Sequence, residues 1–244
     1  MNTAASAEGL RRVQVWDAPT RIFHWSLVIL MLIAWFTGEG EGTGATIHRI
    51  AGEVIAGLIV FRVIWGFAGG EHARFADFAA GPNAILAHIG DLFSKTPHRH
   101  LGHNPLGGFA VFLLLIISAG IVVTGLFAGG HESAGPFAGR WGLDLAEAHE
   151  LLFRVLQGLV VLHLVGVVVE TWRARDPLVP AMITGAKPRR ADEPGADARR
   201  ASPIVFLVAA IFAIAVAGVL MAQPPGATAP DGHGHDHAYE SEED

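Results

Sequence analysis

Five apolar runs, at residues 22–37, 49–68, 105–128, 148–170 and 203–222, constrain this 244-residue chain more than any other feature. Four of them reach or exceed the roughly 20 residues that an α-helix needs to cross a hydrocarbon core of about 30 Å. The first is shorter, but Phe23, Trp25, Trp35 and Phe36 at its ends suit anchoring at the lipid–water boundary. Charged residues make up 16% of the chain, against about a quarter in soluble domains. Runs and composition together predict an all-α membrane protein, a four-helix transmembrane bundle with a fifth, C-terminal transmembrane helix.

Lysine and arginine placement predicts the orientation. Arg11, Arg12 and Arg21 precede the first run, and Arg74, Lys95 and Arg99 lie between the second and third. Arg173, Arg175, Lys187, Arg189, Arg190, Arg199 and Arg200 follow the fourth. Residues 38–47 have no basic side chain, residues 129–147 have only Arg140, and the tail after Gln223 has six acidic residues and no basic one. The N-terminus is therefore expected in the cytoplasm and the C-terminus outside. Residues 1–21 lack an apolar core and no small-x-small site follows the first run, so no cleaved signal peptide is expected. Within the long inner loop, Ile85, Leu86, Ile89, Leu92 and Phe93 recur at helical spacing, which predicts an amphipathic helix over 82–93 lying on the membrane surface.

Histidines mark the interior. His149 and His163 are fourteen residues apart on one run, which on a helix is about 21 Å of rise with a return to within about 40° of the same face. His24 and His48 occupy two other runs. With the predicted topology His24 and His163 fall near the inner side, and His48 and His149 near the outer side. Ionisable side chains at membrane depth mark functional positions by default, and two level imidazole pairs suit bis-histidine ligation of two haem irons. Such ligation leaves no open position for gas or substrate, so each haem would carry electrons. Gly52, one turn after His48, and Gly166, near His163, would let a flat macrocycle approach the backbone. Arg21 and Arg49 stand beside His24 and His48 and could pair with propionates, as could Arg154 on the outer side.

The chain has no cysteine, which excludes a disulfide, a thiolate ligand and the Cys-x-x-Cys-His attachment of c-type haem. Any haem is therefore non-covalent, with histidine as the main ligand and Met31 and Met221 as weaker candidates. Four segments flank or follow the haem region 22–176: a cytoplasmic N-terminus (1–21), a charged cytoplasmic linker (177–202), the fifth helix (203–222) and an acidic periplasmic tail (223–244). Ala209, Ala213 and Ala217 form a small-residue face on the fifth helix that admits close approach of the bundle, a second copy or another subunit. His98, His100 and His103 suit an interfacial cluster, or for His103 the start of the third helix. His233, His235 and His237 give the tail a metal-capturing composition, although a solvated tail that steers a basic partner also fits.

Several spaced segments resemble the bacterial cytochrome b561 family, which includes the membrane cytochrome b subunits of nickel–iron hydrogenases. They are Val15-Trp-Asp-Ala-Pro-Thr-Arg-Ile-Phe-His24-Trp, His48-Arg-Ile-Ala-Gly52, Phe61-Arg-Val-Ile-Trp-Gly66, Ala73-Arg-Phe75, Gly102-His-Asn-Pro-Leu-Gly-Gly108 and Ala148-His149 with His163. The resemblance covers about residues 13–175. It implies two b-type haems in the bacterial inner membrane, the inner held by His24 and His163 and the outer by His48 and His149. It also implies electron exchange between quinone and a periplasmic redox partner, a c-type cytochrome or a hydrogenase-like enzyme. The fifth helix and the tail depart from four-helix members of the family.

Two other functions compete. One is oxidation of a small reductant such as superoxide at the outer surface, with reduction of quinone. The other is divalent-metal transport, suggested by the histidines; it expects acidic groups at mid-membrane, whereas Glu53 and Glu170 fall near the ends of their runs.

Overall fold

In the computed structural model, residues 10–95, 97–129, 134–190 and 196–226 are described. They form, in chain order, β1 (Leu10–Gln14), α1 (Ala18–Thr37), α2 (Thr43–Ala68), α3 (Pro82–Leu92), α4 (Pro105–Phe127), α5 (Ala146–Arg173), α6 (Leu178–Thr184), β2 (Ala186–Arg190) and α7 (Pro203–Met221). Five of these helices, α1, α2, α4, α5 and α7, are long and apolar enough to cross a membrane. The histidine-bearing tail from residue 227 onward lies outside the described residues.

Local chemistry sets where the helices begin. Asp17, Asn104 and Ser202 precede α1, α4 and α7, each with proline in the first turn. Their side chains accept from Thr20 N (2.9 Å), Gly107 N (2.6 Å) and Ile204 N (3.2 Å), satisfying amide groups that the first turn leaves without partners. Because caps are polar, the apolar runs underestimate the helices. α1 starts before Ile22, α2 starts at Thr43 rather than at residue 49, and α5 starts at Ala146. One expectation is corrected as a result. Glu53 is not near a helix end but about 15 Å along α2, where it is buried and accepts from Arg49 at 2.7 Å.

Helix α2 packs against α1, α4 and α7, and α4 packs against α5. The α2–α7 contact is the tightest approach of two spans. A Cβ on Gly57 would stand 2.5 Å from the Ala213 carbonyl oxygen and 3.2 Å from the Ala217 Cβ, while Ala209 is fully buried in a cluster with Phe23, Phe61 and Trp65. The alanine face of the fifth helix is thus taken up by this chain's own α2.

The two ends of the bundle differ. At one end β1 and β2 pair antiparallel, from Leu10 with Arg190 to Gln14 with Ala186. The charged linker expected over 177–202 thus contains α6 and β2, with Lys187 wholly buried against Asp176 at 2.6 Å. Alternation along β2 turns Lys187 and Arg189 inward. Helix α3 docks at this same end, where Arg173 donates to the Leu92 and Ser94 carbonyls at 3.1 and 2.9 Å. It buries His88 and Leu92 and leaves Leu86, Ile89 and Phe93 exposed. Nearly all of the loop lysines and arginines gather at this basic end. At the far end Gly226 N donates to Gly135 O (3.0 Å), joining the end of α7 to the loop before α5.

Replacing Gly57 by valine should force α7 off α2 and cost about 1–3 kcal/mol, measured as unfolding in detergent. Gly218→Ala, where an added Cβ meets nothing within 4 Å, should leave stability unchanged or raised.

Candidate functional site

The far end holds the best-defined part of the site. His48 on α2 and His149 on α5 face each other across the bundle with ring centroids 6.1 Å apart and planes at 80°. His48 Nδ1 lies 2.8 Å from the Ala34 carbonyl oxygen on α1, and His149 Nδ1 lies 2.9 Å from the Ile121 carbonyl oxygen on α4. A carbonyl oxygen can only accept, so each Nδ1 carries the proton and each Nε2 keeps its lone pair. This is the arrangement that fixes ring orientation in metal-ligating histidines. Two rings that each made a metal bond of about 2.0 Å through facing nitrogens would stand with centroids roughly 6 Å apart. Both rings are partly buried.

Glycine shapes this pocket twice over. A Cβ on Gly125 would come within 2.9 Å of His149 Cε1, so bare backbone there makes room for that ring, whereas one on Gly38 would meet His48 at an ordinary 3.5 Å contact. At Gly52 and Gly166, in contrast, an added Cβ would meet nothing within 4 Å. Open space beside the histidines is what a flat macrocycle requires.

At the basic end His24 and His163 lie close enough to act on each other electrostatically. His24 Nδ1 is buried without a hydrogen-bond partner. Arg21 donates to the Ile183 carbonyl oxygen at 2.6 Å, and its Nε is buried without a partner. Arg49 stays beside His48 but is engaged by Glu53. Arg154 pairs with Glu150, and both side chains are exposed.

The histidines of the inner loop separate. His98 meets Asp91 at 2.8 Å, His100 packs edge-on against His88, and His103 sits between Trp16 and Phe78. Asn104, not His103, caps α4. Among the described residues no three side chains of metal-ligating type converge. Two participants escaped the sequence reading. Glu170 approaches His88 at 3.4 Å in a buried pair that docks α3 on α5. Arg62 lies fourteen residues after His48, the spacing that had singled out His149 and His163, but that interval had been applied to histidines alone.

Comparison with known proteins identifies the family. The model of the family described as prokaryotic cytochrome b561 matches residues 15–185. The chain belongs to that family. It is a multi-pass membrane cytochrome of b type, which makes haem b its cofactor and electron transfer its chemistry. Among its relatives, the probable Ni/Fe-hydrogenase B-type cytochrome subunit of Rhizobium leguminosarum bv. viciae is 28% identical, over 75% of this chain and 94% of the relative. The protein of the same name from Azotobacter vinelandii is 28% identical, over 80% and 97%. The probable Ni/Fe-hydrogenase 1 B-type cytochrome subunit of Escherichia coli K12 is 25% identical, over 70% and 88%. No solved structure matches the chain.

His103 gives this b561 cytochrome a pH-dependent element. Burial and then the nearby Arg62 charge push its pKa down to about 3. The folded state therefore resists a proton that the unfolded chain takes up below about pH 6.5. Stability should be full above that value and fall by about 1.4 kcal/mol per pH unit as pH drops toward 3. His103→Phe should flatten that part of the acid dependence of detergent melting temperature; an unchanged slope would assign it to other groups.

Proposed function

We propose that this protein carries electrons across the bacterial inner membrane through two b-type haems. They connect the quinone pool with a periplasmic redox partner, a hydrogenase-like enzyme or a c-type cytochrome. The observation that carries the reading is the facing pair His48 and His149, each with Nδ1 committed to a carbonyl and Nε2 left to bind iron. In this reading they hold the outer haem and His24 with His163 hold the inner one. Gly52 supplies the open backbone against which the outer macrocycle lies, and Arg49 and Arg21 keep donors for propionates at the two levels. The N-terminus is cytoplasmic and the C-terminus periplasmic, in keeping with the basic side chains gathered at the β1–β2 end.

Bound haem would supply one-electron chemistry, and an imidazole pair such as His48 with His149 would leave its iron no open position. The chain's own task is positional. The α1 and α4 carbonyls lock the outer rings, the apolar spans exclude water, and the fourteen-residue spacing on α5 separates the two levels by about 21 Å. Names of the relatives support a hydrogenase as the partner, since those from Rhizobium leguminosarum and Azotobacter vinelandii are described as hydrogenase cytochrome subunits.

Purified protein should contain about two haems per chain, one for each bis-histidine pair, with a b-type reduced-minus-oxidised spectrum. His163→Ala should remove one haem and spare the other, and His149→Ala should do the converse. A single haem in the native protein would overturn the two-haem reading.

A further inference from the structure

Arg62 is the least expected side chain in the bundle. It lies on α2, a membrane span, yet it is only 3% exposed. Fourteen residues from His48 place it on nearly the same face of α2, about 21 Å further along. That displacement equals the one from His149 to His163, so Arg62 sits at the level of His163 and His24. Its charge acts on His103, which also feels His163. Arg62, His103 and His163 thus share one neighbourhood at the basic end, and His24 acts on His163 there.

The guanidinium has no salt-bridge partner among the described residues. Its carbon stands 4.8 Å from the Phe75 ring centroid and 5.9 Å from that of Phe78, so aromatic faces support it. Nη1 is buried without a hydrogen-bond partner, and no carboxylate among the described residues forms a salt bridge with it. Asp17 supplies an opposite charge near enough to act on it, but that carboxylate makes no salt bridge or hydrogen bond with the guanidinium. Its Oδ1 caps α1 at Thr20 and its Oδ2 accepts from Trp65 Nε1 at 3.1 Å. A guanidinium cannot shed its proton to escape burial, and a buried charge without a partner is strongly unfavourable. Arg21 and Arg49, the arginines beside the histidines, both have protein acceptors.

We propose that Arg62 anchors a carboxylate of the haem held by His24 and His163 and raises that haem's reduction potential, an inference that rests on the two-haem reading above. A planar fork of N–H donors matches a propionate carboxylate. A fixed positive charge beside the macrocycle favours the state with one more electron.

The test is a spectroelectrochemical titration of purified holoprotein, with haem content measured on the same sample. Two haems in the native protein, assigned by loss of one in His163→Ala, establish the underlying reading first; any other content fails that reading, not this one. Arg62→Gln should then lower the midpoint of the inner haem, or release that haem alone, and leave the outer midpoint in place. Retention of both haems with both midpoints unchanged would overturn the proposal, as would a shift confined to the outer haem. Arg62→Lys keeps the charge and loses the fork. It should hold the inner midpoint near the native value while moving the propionate bending band in resonance Raman; an unmoved band overturns the proposal even where Arg62→Gln does not fold. Repeating the titrations with and without added anionic lipid separates the sources of anion. A native-to-Gln difference that appears only with lipid would assign Arg62 to a headgroup and overturn the haem assignment.

Discussion

An imidazole inside hydrocarbon must commit its polar atoms, and the far half of this bundle is organised around that demand. His48 and His149 each place Nδ1 on a carbonyl of a neighbouring helix. Both acceptors belong to helices other than the histidine's own. The bonds therefore fix helix positions as well as ring tautomers, tying α2 to α1 and α5 to α4. Bare backbone at Gly125 follows from the same requirement, because a Cβ there would displace the His149 ring. The free Nε2 atoms then define a level at which a metal-bearing plane can sit.

Burial of charge organises the opposite end. There Lys187 is enclosed with Asp176, Arg173 closes the last carbonyls of the surface helix, and Arg62 rests on aromatic faces. The β1–β2 ladder holds the N-terminal segment against the segment that follows α5, so the basic loops form a folded cap. A cap of that kind limits solvent near His163 and His24. His103, enclosed by Trp16 and Phe78, belongs to it and couples it to pH.

The family match ends at residue 185, before α7 begins at Pro203. The extra helix is nonetheless integral to the bundle, because Gly57 and the Ala209, Ala213 and Ala217 face bring two backbones nearly into contact. Small residues permit that approach where lipid and protein are equally apolar and packing is the main source of attraction. The same face cannot serve a second copy at the same time.

From the sequence by itself came the number of spans, a helix over 82–93 that the structure ends at Leu92, and the expectation of two histidine levels. These depend on composition and helical spacing, which are local properties that a linear reading captures; the polar caps Asp17, Asn104 and Ser202 fall outside apolar composition and came only with the structure. The misjudgement of Glu53 arose because α2 extends through polar residues before its apolar run, where composition carries no signal. Only the tertiary structure decided which carbonyls hold the histidine rings, that residues 186–190 pair with residues 10–14, that α7 lies on α2, and that Arg62 is enclosed without a salt bridge. Each of those is a contact between segments far apart in the chain, and a local pattern cannot specify which distant group will stand opposite.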